Sequence, residues 1–182
     1  MADGNERRPE KSFHEAGHCV AAAVLGIPLK SIRMVPDDSG KMGVTPTESQ
    51  ALPWRGPRPD TRPDEIPEPE WLVLAACNEE WEAWKRKDHE RYAVFYLAGK
   101  SAQVRYSPDT VQQGDAKFDY SIVEWFLSGY QIPIVEVETA AQELIDGHWA
   151  SVEAVAEQLM KRDELSPLEV EDIVIGGRQQ AT

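Results

Sequence analysis

A chain of 182 residues, 41% of them hydrophobic and 28% charged, has the make-up of one globular domain with a sizeable core, and two domains would stretch it. Its net charge of −13 argues against nucleic acid or an anionic membrane as the main partner, because both need a basic footprint. The two cysteines, Cys19 and Cys77, stand outside any CxxC, so neither a disulfide framework nor a zinc knuckle is indicated and a reducing, cytoplasmic compartment is expected.

Residues 1–11 are charged and expected to be loose, without the apolar region a signal peptide needs. The longest apolar run, Cys19 to Leu25, falls far short of the roughly 18 residues that suggest a membrane span. Ser12 fits a helix N-cap, and Glu15 three residues later completes a capping-box pattern. The helix is expected to end at Leu25, before Gly26-Ile27-Pro28.

This first helix carries His14-Glu15-Ala16-Gly17-His18, an HExxH pattern. Residues four apart lie on one face of a helix, one turn above the other, so both imidazoles can reach one ion from the same side. Zinc accepts imidazole nitrogens and keeps a position for water in a catalytic site. Glu15 projects about a hundred degrees round from His14, where it can border an ion without binding it and take a proton from water. The alternative is a plain capping box with incidental histidines. Gly17 costs about 1 kcal/mol relative to alanine inside a helix, which asks for a reason such as close approach of another backbone.

Residues 29–35 read as a strand, 37–40 as a turn and 41–45 as a second strand, together a hairpin whose second strand could take an added peptide strand at its edge. Six prolines between Pro53 and Pro69 make that stretch a long loop. Trp54, Trp71, Trp81 and Trp84 belong to this insertion. Helices are expected over 70–77 and about 88–104. A further helix is expected over 115–128, with residues 118, 122, 123 and 126 on its apolar face. Residues 136–147 and 149–162 have clear amphipathic periods. Ser166, Pro167 and Glu169 mark the start of a last helix, 165–174, before a tail from 176 to 182. His89 lies in a charged run and is expected to face water. His148 follows a break at Gly147, and Cys19 reads as a small core residue.

HEAGH with the following CVAAAVLGIPLKSIRMVP, the later GVT, FYLAGKSAQVRY at 95–106, GDAKFDYSIVEWF at 114–126 and the helical tail resemble the peptidase domain of FtsH-like ATP-dependent zinc metalloproteases. The resemblance covers nearly the whole chain from Ser12 to Val174. It implies an α+β, mostly helical, zincin-like domain with a small sheet beside the HExxH helix. It also implies a metalloprotease that hydrolyses peptide or unfolded protein substrates. His14 and His18 would hold zinc and Glu15 would act as base. The third ligand implied is an aspartate that opens a helix. Asp119, followed by Tyr120 and by Val123 four on, fits this pattern better than Asp115, and both stay open.

Departures from the family accompany the resemblance. No GxxxxGK[ST] occurs, so hydrolysis without an ATP-driven motor is expected, and the family's oligomeric state does not transfer. The proline-rich insertion has no clear counterpart. A metallopeptidase-like module that only binds or regulates is the rival reading.

Overall fold

The computed structural model describes residues 8–35, 43–46, 78–110 and 116–180. Within them the chain is mostly helical with one small antiparallel sheet. The elements run α1 (Arg8–Leu25), β1 (Leu29–Arg33), β2 (Gly43–Pro46), α2 (Asn78–Tyr106), α3 (Lys117–Leu127), α4 (Ile134–Gly147), α5 (Trp149–Lys161), β3 (Glu164–Leu165) and α6 (Pro167–Gln180). The expected turn 37–40, the proline-rich insertion 53–69, the expected helix 70–77 and Asp115 lie outside the described residues. Trp81 and Trp84 fall within α2 rather than in a loop.

Helix α1 begins a turn before the expected cap at Ser12. Pro9 sits in its first turn, where the missing N–H costs nothing. The Arg8 guanidinium donates to the Leu159 and Arg162 carbonyls, both at 3.1 Å, and to Asp163 at 2.9 Å. These bonds tie the first turn of α1 to the end of α5. Ser12 is therefore fully buried inside the helix, and residues 8–11 are helical rather than loose. The far end stops as the sequence indicates. Gly26 takes φ +66, and the Ile27 N–H returns to the Ala22 carbonyl at 2.9 Å, the six-to-one bond of a Schellman ending.

The sheet has the order β2-β1-β3. Ile32 pairs with Val44 on one side and with Leu165 on the other. Among the described residues β2 is thus an edge strand. β3 is a two-residue strand that no sequence pattern announced; it arrives from the end of α5 and pairs with β1.

Helix α2 runs between two apolar clusters. On one side Phe13, Val20, Ile32, Phe95, Ile145, Val155, Leu159 and Leu165 join α1, the sheet, α5 and the body of the core. On the other, Leu97, Val123, Val137 and Ala141 join α2 to α3 and α4. Each fully buried Val, Leu, Ile or Phe side chain contributes about 1.5–3 kcal/mol relative to exposure. The faces of α4 and α5 match their periods, with Val137, Ala141 and Ile145 buried in one and Val152, Val155, Ala156 and Leu159 in the other. The face of α3 does not. Asp119, Val123 and Leu127 turn inward, while Phe118 is 75% exposed. Helix α6 starts with a true capping box: the Ser166 N–H donates to Glu169 at 2.8 Å, and the Glu169 N–H to the Ser166 hydroxyl at 3.3 Å. Arg162 beside it and the Ser166 donors hold the Glu169 carboxyl down at about 2. The helix continues to Gln180, where a tail was expected from 176.

The crossing of α1 over α2 is close. A Cβ on Gly17 would lie 2.4 Å from the Ala98 carbonyl oxygen and 2.8 Å from the Ala102 Cβ. The close approach that Gly17 implied is therefore to a helix backbone. Gly17→Ala is expected to force the helices apart and destabilise the fold by about 1–3 kcal/mol despite its better helix propensity. Urea unfolding midpoints of the two proteins measure this directly.

Candidate metal centre

Three side chains from two helices converge. Successive turns of α1 present His14 and His18, whose Nε2 atoms stand 3.1 Å apart. The first turn of α3 presents Asp119, with Oδ2 3.2 Å from His14 Nε2 and 3.8 Å from His18 Nε2. Together they form a group that could hold a metal ion, the one such group among the described residues. All three are nearly shut off from solvent, at 13%, 6% and 12% side-chain exposure for His14, His18 and Asp119. A carboxylate so placed suits the positive end of α3. This also accounts for the face of that helix: the inward position is held by a polar side chain that meets both histidines.

Helix α2 supports the imidazoles from behind. His18 Nδ1 donates to the Phe95 carbonyl at 2.9 Å, and His14 Nδ1 to Gln103 Oε1 at 3.2 Å. Both bonds orient the rings so that Nε2 faces the shared point, the arrangement found behind metal-binding histidines. Between those two supports stands Gly99. A Cβ there would lie 2.4 Å from His18 Nε2 and 2.9 Å from His14 Nε2. Phe95, Gly99 and Gln103 are each four apart and so share one face of α2. None of the three was singled out from sequence. The glycine inside the LAGKSA segment is the one signal that could have marked them, since an interior helical glycine asks for a close neighbour.

Glu15 is turned aside from the three converging atoms. Its Oε2 accepts the Val44 N–H at 2.9 Å, so the carboxylate rests on the outer edge of β2. It does not close a capping box with Ser12, as the plainer sequence reading had it. Tyr96 lies to one side, its ring 6.4 Å from that of His18. Burial, then the Asp119 charge, raises its phenol pKa.

The two histidines titrate in opposite senses. Burial opposes charge on His14, but the Asp119 hydrogen bond, the charges of Glu15 and Asp119 and the Gln103 contact outweigh it and raise its pKa above 6.5. Burial, then the neighbouring His14 charge, lowers that of His18. Only one proton fits between the imidazoles. Burial also raises the Cys19 thiol well above its usual value, which leaves it a core residue rather than a nucleophile.

The remaining histidines have structural places. His89 does not face water as expected. It is half-buried, with Nδ1 donating to the Phe126 carbonyl at 3.1 Å and its ring against Trp125, Phe126 and Tyr130. His148 donates to the Leu144 carbonyl at 3.0 Å at the junction of α4 and α5, in keeping with the break expected at Gly147. No described helix is long and apolar enough to cross a membrane. Compared with protein-family models, with curated proteins and with solved structures, the chain matches none.

Two outcomes follow from this geometry. Gly99→Ala is expected to leave a folded protein that takes up divalent metal about 10- to 100-fold more weakly, the cost typical of displacing the supports of ligating histidines. Competition with a chromophoric chelator, read beside circular dichroism, separates lost binding from lost fold. Because His14 holds its proton to above 6.5 and that proton excludes an ion, metal affinity is expected to rise with pH through neutrality. The slope approaches about tenfold per pH unit while His14 stays protonated and flattens above its raised pKa. Isothermal titrations between pH 6 and 8.5 in buffers of different ionisation enthalpy would register the released proton.

Proposed function

We propose that this chain is a zinc-dependent peptidase with a zincin-like fold, similar to the peptidase domain of FtsH-like metalloproteases. The observation that carries the reading is the convergence of His14 Nε2, His18 Nε2 and Asp119 Oδ2, with the Glu15 carboxylate on the next helical position. Asp119 is the residue favoured as third ligand on both the motif pattern and this convergence. Two imidazoles and one carboxylate suit zinc, and ligand atoms about 2.0–2.1 Å from a tetrahedral ion lie roughly 3.3 Å apart, close to the separations of His14 Nε2 from its two neighbours.

When bound, zinc supplies Lewis acidity, which brings the deprotonation of water into the neutral range and polarises a peptide carbonyl. The chain's own residues do the rest. His14 and His18 are kept in register by Gln103 and the Phe95 carbonyl, so they need no reorganisation during the reaction. Glu15 takes the proton from the attacking water and delivers it to the leaving amine nitrogen. Asp119 offsets the charge gathered at the centre. Substrates would be extended or unfolded segments, since the 182 residues contain no P-loop pattern to drive unfolding.

Glu15→Gln keeps the shape and removes the base. Its expected outcome is bound zinc at wild-type stoichiometry with cleavage of a denatured casein-type substrate reduced about 100-fold or more. Elemental analysis and a gel-based time course with and without chelator provide the check. Equal, chelator-insensitive behaviour of both proteins would leave a binding module, and a protein that takes up no zinc would leave neither.

A further inference from the structure

The seat of the Glu15 carboxylate shows a feature that metal binding alone does not require. Val44 faces Ile32 across the β1–β2 pair, yet its N–H leaves the sheet and donates to Glu15 Oε2 at 2.9 Å. Beside it Gly43 is buried, with φ +97. A Cβ on Gly43 would meet Glu15 Oε2 at 3.2 Å and Oε1 at 3.3 Å, tighter than side-chain contacts ordinarily run. One strand residue thus supplies a donor, and its neighbour supplies room for both carboxylate oxygens. We propose that Gly43 and Val44 are positioning residues for the base, with the edge of β2 fixing how far the Glu15 carboxylate reaches toward the attacking water. The proposal rests on the peptidase reading given above.

The physical need is plain. A glutamate on a helix surface has several rotamers, and only some bring an oxygen to a water beside the histidine pair. With Oε2 held by Val44, the remaining rotation of the carboxylate is restricted and Oε1 is left for the proton. A displacement of about 1 Å in such a group can cost on the order of 100-fold in rate. The ligands have their own supports on α2, so the strand acts on the base without acting on the metal.

Three substitutions in the full chain test this. Val44→Pro removes the outward N–H from an edge strand, where proline is tolerated. Val44→Ala keeps the N–H and loses only side-chain packing. Gly43→Ala inserts the crowding methyl and, at φ +97, also strains the strand backbone beside the carboxylate. With zinc bound, Val44→Pro and Gly43→Ala are expected to lower kcat about 10- to 100-fold, leaving KM and zinc affinity within about threefold. Val44→Ala supplies the reference for lost side-chain packing, and the Val44→Pro drop is read against it. Independently of activity, the Val44 amide proton is expected to move upfield in Glu15→Ala, because a charge-assisted bond to it is lost, and the flanking amides should move less.

An unmoved Val44 amide in a folded Glu15→Ala protein overturns the contact itself, whatever the strand variants do. A Val44→Pro protein that turns over like Val44→Ala, or that loses zinc along with turnover, overturns the positioning role. Zinc-loaded wild type that cleaves nothing rejects the peptidase reading, and with it the role assigned to the strand, while the amide shift still reports the contact.

Discussion

Everything at the centre depends on how near α1 and α2 come to one another. Side chains usually hold packed helices about 8–10 Å apart. Here Ala16 and Gly17 on one helix meet Ala98, Gly99 and Ala102 on the other, and there is no space for even a methyl at Gly17 or Gly99. The close crossing lets a helix carbonyl, that of Phe95, take the proton of an imidazole on the facing helix. A bulkier crossing would leave the His18 Nδ1–H buried without an acceptor, which costs about 1–3 kcal/mol. The small residues therefore serve packing and ring orientation at once. This is why the glycines in question lie inside helices, where they are otherwise unfavourable.

The same closeness sets the electrostatics. Two imidazoles and two carboxylates share a region largely cut off from water, where burial disfavours every charge and neighbouring charges act strongly. The result is a division of labour between chemically identical residues. His14, next to Asp119 and Glu15, favours its protonated form, while His18, enclosed and facing His14, favours its neutral form. Without an ion, the imidazole pair takes one proton readily and a second poorly. A proton on His14 and a cation at the converging Nε2 atoms are alternatives for the same electrostatic place.

What could be read without coordinates was whatever depends on near neighbours in the chain. The four-residue spacing of His14 and His18 puts them on one face in any helix. The Ser166–Glu169 cap lies within a single turn, and the apolar periods of α4 and α5 follow directly from their order of residues. What escaped depends on partners distant in sequence. The start of α1 is held by Arg8 reaching the end of α5. His89 sits among charged residues in the chain yet among aromatic rings in space. The pairing of β3 with β1 joins residues 32–33 to residues 164–165, far apart along the chain. For α3, counting apolar positions favoured the face containing Phe118, whereas the buried face contains Asp119. A periodicity argument assumes that polar residues face water, and it fails where a polar residue is turned inward to meet other polar groups. Gln103 was invisible for the same reason, being a buried amide that no apolar pattern marks.

One turn of α1 carries both the histidine pair and the glutamate, but these are braced by different parts of the fold. The imidazoles lean on α2 through Phe95 and Gln103, and the carboxylate leans on the edge of β2 through Val44. A helix by itself fixes the directions of three side chains only to within their rotamers. The directions of the imidazoles and of the carboxylate therefore rest on different contacts, from different parts of the fold. The local spacing of HExxH thus makes a site possible, and the placement of α2 and β2 on either side of it sets how well each half is made.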